Sequence, residues 1–158
     1  MEKTNYTILN NRLKALCEKQ DYFVTNLANA SAALWQAMPE INWAGFYLMK
    51  DGMLVLGPFQ GKPACVRIEV GKGVCGTAVQ TNSVQRVADV HAFPGHIACD
   101  SASRSEIVIP IHQGGKIVGV LDIDSPVTER FSAEDEAGLL EFVRVLEART
   151  SFTGIDLY

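Results

Sequence analysis

Residues 106–124 read EIVIPIHQGGKIVGVLDID, two alternating runs separated by a Gly-Gly pair. Alternation with a period of two is typical of β-strands, and glycine between two such runs favours a hairpin. A slip of one residue would move the isoleucines to the face that carries the acids, so the pattern selects one register. A three-residue turn satisfies it, pairing Gln113 with Ile117 and Glu106 with Asp124. The sequence therefore predicts an antiparallel hairpin with one apolar face.

The opposite face of this hairpin carries acids. In the predicted register Glu106, Asp122 and Asp124 project from neighbouring strands into one small volume. Carboxylates that crowd in a partly desolvated pocket raise each other's pKa, and one can then stay protonated near neutral pH and act as an acid. The alternative is that these acids lie at strand ends and face water.

Periodicity organises the remaining chain into helices and further strands. Apolar steps of three and four predict a helix through Leu9, Leu13 and Leu16, and a second helix that Pro39 ends. Asp51-Gly52 between two apolar runs favours a tight hairpin. The other predicted elements are strands at 41–49, 53–59, 65–70 and 84–87, a short helix at 74–80, a loop at 88–105 and a closing helix at 132–149. This order indicates the α+β class, with an antiparallel sheet and helices packed on one face.

Size and charge narrow the class of protein. The chain has 158 residues, of which 47% are hydrophobic and 20% charged, with a net charge of -4. This length fits one domain with one core, and the acidic balance offers no basic footprint for nucleic acid. No apolar stretch approaches the roughly 20 residues of a membrane span, and no signal-peptide pattern opens the sequence. We expect a cytoplasmic protein that binds neither membrane nor nucleic acid.

Cysteines point to the chemistry. Cys65, Cys75 and Cys99 fall in the middle third of the chain, each beside turn or loop signals. In a reducing compartment such cysteines are more often buried, metal-bound or catalytic than joined in a structural framework. Cys17 lies within a predicted helix, and we expect it to be a structural buried thiol.

A zinc site is disfavoured by spacing. His91 and His96 accompany Cys75 and Cys99, yet no Cys-x-x-Cys or paired-histidine spacing supports a tetrahedral cluster. We therefore expect no metal cofactor. The role of Arg67 and Arg104 stays open among three alternatives: lowering a thiol pKa, binding the substrate carboxylate, or facing solvent.

Five segments of the sequence stand out: NWAGFYLM (42–49), GPFQGKPACVRI (57–68), GKGVCGTA (71–78), HIACDSASRSEIVIPI (96–111) and VGVLDIDSP (118–126). Together they closely resemble the free methionine-R-sulfoxide reductases, a family built on a GAF domain. The resemblance covers nearly the whole chain and includes the three cysteines at their relative spacings as well as the acids.

The resemblance implies a single GAF domain over residues 1–158. Its expected parts are N-terminal helices at about 4–38, a sheet with active-site loops at 41–124, and a C-terminal helix at about 132–149. The sheet would have six antiparallel strands with flanking helices. A homodimer is also plausible on this basis.

The resemblance further implies an activity, the reduction of free L-methionine-R-sulfoxide to L-methionine. Cys99 would be the nucleophile and Cys65 the resolving thiol, while a secondary resolving role for Cys75 stays open. A sulfenic acid on Cys99 would condense with Cys65 to a disulfide that thioredoxin reduces, with no metal or organic cofactor.

Substrate-binding residues follow from the same resemblance. Glu106, Asp122 and Asp124 would meet the sulfoxide oxygen and the substrate ammonium group, and Trp43 and Tyr47 would enclose the methyl group. The two aromatics lie four residues apart on a predicted strand and so share a face; without the resemblance, ordinary packing would explain them. Two alternatives stay open, a GAF module that binds a ligand without chemistry and a protein whose thiols are all inert.

Overall fold

The described part of the chain forms six antiparallel strands and four α-helices. The computed structural model describes residues 2–97 and 99–155. The sheet order is β3-β2-β1-β6-β5-β4, which confirms the predicted α+β class. The elements are α1 (Tyr6–Leu16), α2 (Phe23–Ala37), β1 (Trp43–Lys50), β2 (Met53–Gly61), β3 (Arg67–Glu69), α3 (Gly73–Thr81), β4 (Gln85–Val87), a 3₁₀-helix (Val90–Ala92), β5 (Ser105–Gln113), β6 (Lys116–Ser125) and α4 (Ala133–Arg149). Within the described ranges, no helix has both the length and the apolar character that crossing a membrane requires.

The β5–β6 hairpin has the predicted register, but its turn is one residue shorter than predicted. Gln113 pairs with Lys116, so the turn has two residues, and both glycines in it have positive φ, 60° and 77°. The three-residue turn was therefore wrong, because two glycines readily form the two-residue turn that suits strand twist. A bulge corrects the register: Ile111 pairs with Gly119 but His112 with Ile117, leaving Val118 as an extra residue. Beyond it, Glu106 faces Asp124 as predicted.

Helices cover both faces of the sheet. The apolar side chains of β1, β5 and β6, among them Ile107, Ile109 and Ile123, form one core with α1, α2 and α4. The prediction that helices pack on one face was wrong for α3, whose Cys75 and Ala78 join a second core on the opposite face. The sequence alone does not show on which face of the sheet so short a helix packs. The helix α3 therefore forms a layer of its own, opposite the other helices.

The N-terminal helix is tied to α4 through one buried carboxylate. Ser132 and Asp135 form the predicted capping box. Asp135 also accepts a hydrogen bond of 2.6 Å from the Tyr6 hydroxyl and pairs with Arg130 at 3.1 Å. Burial alone would raise the pKa of Asp135, but hydrogen bonds from Tyr6 and Ser132 and the charge of Arg130 outweigh it and lower that pKa.

Gly138→Ala tests this contact between α1 and α4. A β-carbon at Gly138 would overlap ring carbons of Tyr6. Alanine gains about 1 kcal/mol of helix propensity, whereas overpacking costs roughly 1–3 kcal/mol. We expect a net loss in the free energy of unfolding, measured by urea denaturation. In a Tyr6→Ala background the same change should stabilise the protein; stabilisation with Tyr6 present would contradict this packing.

Candidate active site

A small pocket lies between α3 and the sheet, with a cavity volume of about 30 Å³. The structure brings most of the predicted site residues to its wall: the acids Glu106, Asp122 and Asp124, the cysteines Cys75 and Cys99, and the aromatics Trp43 and Tyr47. These side chains come from β1, β5, β6, α3 and the loop that precedes β5. Elements distant in sequence therefore meet at one site.

A disulfide joins Cys65 to Cys99 beside this pocket. Their Cα atoms are 5.5 Å apart, within the usual range for such a bond. Cys65 precedes β3, and Cys99 lies in the loop that precedes β5. The bond therefore links two loops at the pocket, and the two cysteines are close enough to exchange between thiol and disulfide forms.

The three acids share one face of β5 and β6. Glu106 lies directly opposite Asp124, and Asp122 is two residues along the same strand, opposite Gly45 of β1. Glu106 and Asp122 are only 7% and 6% exposed. Oδ1 of Asp122 and Oδ1 of Asp124 are buried and have no hydrogen-bond partner among the described residues. Carboxyl groups can hydrogen-bond to one another only when one of them carries a proton.

Burial is the main cause that raises the pKa of each acid. For Glu106 and Asp124 the negative charge of Asp122 adds to burial, and their pKa values lie well above the ordinary range. The pKa of Asp122 is also raised by burial, although the neighbouring Glu106 and Cys75 side chains oppose that rise. The cluster as a whole therefore retains protons to higher pH than isolated carboxyl groups would.

Cys75 faces this cluster from the first turn of α3. It is 3% exposed, and burial, followed by the negative charges of Asp122 and Glu106, raises its pKa well above the ordinary value. Cys75 is therefore a neutral thiol, and its sulfur lies within 4.8 Å of a carboxylate oxygen of Asp122. Cys17 is buried in the core beneath the helices, as predicted, and lies outside the pocket wall.

Both aromatic side chains support the loop of Cys65. Trp43 and Tyr47 stack with ring centroids 5.9 Å apart. The Trp43 indole donates a hydrogen bond of 3.1 Å to the carbonyl of Lys62, and the Tyr47 hydroxyl donates one of 2.9 Å to the carbonyl of Cys65. Sequence reasoning predicted the shared face but missed these hydrogen bonds, because nothing in the alternation shows what a hydroxyl will reach.

Polar residues that sequence reasoning missed hold the loop of Cys99. The Asn42 amide donates to Oδ2 of Asp100 and to Oγ of Ser103, each at 3.1 Å. Ser103 in turn donates to Oδ2 of Asp124 at 3.2 Å. This chain of contacts fixes the loop to the acid cluster. The available signal was that Asn42, Asp100 and Ser103 lie within the segments that carry the family resemblance.

His96 was considered only as a zinc ligand, and it lies at the acid cluster. Its Nε2 is 3.9 Å from Oε1 of Glu106, and its side chain is 14% exposed. Burial and the nearby His91 lower its pKa, which favours the neutral ring. His91 is exposed, as are Arg67 and Arg104, and none of these three lines the pocket.

Comparison with known proteins identifies the family. The GAF domain family matches residues 23–149. Free methionine-R-sulfoxide reductase of Escherichia coli is 59% identical over 148 residues, covering 93% of this chain and 90% of that protein. The chain belongs to the free methionine-R-sulfoxide reductase family.

Solved structures of the same family share the fold closely. The reduced form of fRMsr from Staphylococcus aureus is 51% identical, with a TM-score of 0.93, over 95% of this chain and 97% of that one. The free methionine-R-sulfoxide reductase of Neisseria meningitidis in complex with its substrate is 40% identical, with a TM-score of 0.89, over 94% and 92% of the two chains. The predicted family and GAF fold are thereby confirmed.

Glu106→Gln tests the acid cluster through stability. A folded-state pKa raised above the ordinary 4.5 means that the folded protein holds a proton that the unfolded chain releases. The free energy of unfolding of the wild type then rises as pH falls through the folded pKa, and this gain is complete below the unfolded pKa. We expect Glu106→Gln to be more stable than wild type by roughly 1–3 kcal/mol at pH 8. This advantage should vanish toward pH 4.

Urea denaturation of the disulfide form from pH 4 to pH 8 measures this difference. The matched control is Glu69→Gln, because Glu69 is an exposed glutamate on β3. Its stability should follow that of wild type at every pH. A Glu106→Gln difference that does not vary with pH would contradict the raised pKa.

Proposed function

We propose that this protein reduces free L-methionine-R-sulfoxide to L-methionine through a sulfenic acid on Cys99 and a disulfide between Cys99 and Cys65, with thioredoxin as the reductant. The observation that carries the proposal is the Cys65–Cys99 pair beside a pocket lined by Glu106, Asp122 and Asp124, whose pKa values burial raises. The named relatives, 59% and 40% identical, support the same substrate.

The first step transfers oxygen from substrate to enzyme. The Cys99 thiolate attacks the sulfoxide sulfur while a protonated acid, for which Glu106 is best placed, hydrogen-bonds to the sulfoxide oxygen. The attack joins the Cys99 sulfur to the substrate sulfur, and the acid gives its proton to the sulfoxide oxygen. The hydroxyl then passes to the Cys99 sulfur as the S–O bond and the new S–S bond break, so the substrate leaves as a thioether and Cys99 is left as a sulfenic acid. A buried carboxyl group that is protonated near neutral pH suits this role because it can donate where an ionised one cannot.

The second step forms the disulfide. The Cys65 thiol attacks the sulfenic sulfur of Cys99, and the hydroxyl leaves with a proton as water. A Cα separation of 5.5 Å in the disulfide form supports this pairing. A thioredoxin dithiol then reduces the bond by exchange and is itself oxidised. Cys75 remains a candidate secondary resolving thiol, although its raised pKa disfavours the thiolate that exchange requires.

Substrate selection follows from the contrast between the acidic side and the aromatic side of the pocket. An ionised acid of the cluster pairs with the ammonium group, which a methionine inside a protein lacks. Trp43 and Tyr47 receive the methyl group on the other side of the stereocentre. The separation of polar and apolar surfaces therefore favours one epimer of the free amino acid. The proposal requires no bound cofactor, and a homodimer remains a prediction.

The direct test is a thioredoxin-coupled assay of NADPH oxidation with resolved methionine-R-sulfoxide and methionine-S-sulfoxide. We expect turnover with the R epimer only. Turnover on the S epimer alone, or on neither epimer with the enzyme confirmed to be reduced, would contradict the proposal.

Cysteine variants separate the two thiol roles. Cys99→Ser should abolish turnover because it removes the attacking thiol. Cys65→Ser should release up to about one methionine per enzyme and then stall, because the sulfenic acid has lost its resolving partner. Cys17→Ser is the matched control and should retain turnover. Wild-type turnover in both Cys99→Ser and Cys65→Ser would refute the assignment.

Tyr47→Phe tests whether the hydroxyl of Tyr47 positions Cys65. Removing its hydrogen bond to the Cys65 carbonyl should slow disulfide formation by about 3- to 10-fold, since such a bond contributes about 1 kcal/mol. Methionine release in a single turnover should be slowed less. Rapid-quench measurement of methionine and of free thiols separates the two rates. Equal slowing of both would contradict a positioning role directed at Cys65.

A further inference from the structure

Three buried side chains of the pocket form a cluster with metal-ligand chemistry. The Cys75 sulfur and one carboxylate oxygen each from Glu106 and Asp122 all lie within 4.8 Å of one another. All three residues are at most 7% exposed. In the disulfide form Cys65 and Cys99 are joined to each other, so Cys75 is the free thiol at this pocket.

Asp122 supplies the second, independent observation. Its Oδ1 is buried and has no hydrogen-bond partner among the described residues, although its side chain borders the cavity. A buried carboxylate oxygen without a donor is costly, and a cation seated in the cavity would satisfy it. The cavity volume of about 30 Å³ is sufficient for a single ion.

We propose that this pocket is a zinc-binding site, with Cys75, Glu106 and Asp122 as the ligands. A thiolate with two carboxylates suits zinc, whereas the thiolate disfavours magnesium and calcium. Ligand atoms around tetrahedral zinc are about 3.5 Å apart, so separations of up to 4.8 Å need to shorten by at most about 1.3 Å. Binding displaces the thiol proton, and any carboxyl proton, to solvent.

His96 is placed to provide a fourth ligand. Its Nε2 lies 3.9 Å from Oε1 of Glu106, and it belongs to the loop that carries Cys99. Imidazole is a common zinc ligand, so a small movement of this loop would close a four-coordinate site. The spacing along the chain gave no sign of it because the four residues come from α3, β5, β6 and a loop.

Zinc in this position would occupy the acids that the proposed reaction uses. It would therefore inhibit the reductase. This consequence rests on the proposed function, whereas zinc binding itself does not. A protein that binds zinc here but leaves methionine sulfoxide unreduced would refute the proposed function and support the site.

The experiment titrates zinc into the disulfide form without added thiol, in competition with a chromophoric chelator. We expect one zinc ion per chain, and magnesium in excess should not displace it. Cys75→Ser should weaken binding by about 100-fold or more, and Cys17→Ser should leave it unchanged. Thermal unfolding of each variant verifies that it is folded.

Cobalt provides a spectroscopic readout of the ligands. Cobalt bound to the wild type should show thiolate-to-metal charge transfer in the near ultraviolet and the visible bands of a four-coordinate ion. The charge-transfer band should be lost in Cys75→Ser and kept in Cys17→Ser. Absence of zinc binding in the wild type, or equal affinity and spectra in Cys75→Ser, would overturn the proposal.

Discussion

The pairing of β5 with β6 is the constraint on which both the core and the site depend. With Glu106 opposite Asp124, the isoleucines of both strands join the helix-covered core and the acids face the cavity. A slip of one residue would exchange the two sets, because side chains alternate along a strand. The bulge at Val118 preserves this register despite a two-residue turn. Strand pairing thus converts a sequence pattern into a group of crowded carboxyls.

Crowding these acids in a desolvated space determines their chemistry. In water the three carboxyls would all ionise at neutral pH, but burial and mutual repulsion oppose this. The cluster therefore holds protons, and β1 and the loops keep the thiol pair beside it. Asn42 and Ser103 hold the loop of Cys99, and Tyr47 holds the backbone of Cys65. The acid cluster and the Cys65–Cys99 pair are thereby held in fixed positions relative to one another.

Features with strong local signals could be predicted from the sequence. The hairpin at Asp51-Gly52, the capping box of Ser132 and the shared face of the acids each follow from short-range patterns. The two-residue turn at Gly114 and the bulge beyond it could not be predicted. Together they give the same register as a three-residue turn without a bulge, so the sequence pattern fits both. The placement of α3 and of His96 depends on tertiary contacts between segments distant in sequence.

The most direct test of this account measures protonation within the acid cluster. Isotope-edited infrared spectroscopy of the protein with ¹³C-labelled glutamate side chains, recorded across a pH titration, distinguishes a protonated carboxyl from a carboxylate. The account predicts a protonated glutamate carboxyl band at pH 7 that is absent in Glu106→Gln and unchanged in Glu69→Gln. A wild-type spectrum at pH 7 with only ionised glutamates would contradict it, and Glu106 would then have no proton to give the sulfoxide oxygen.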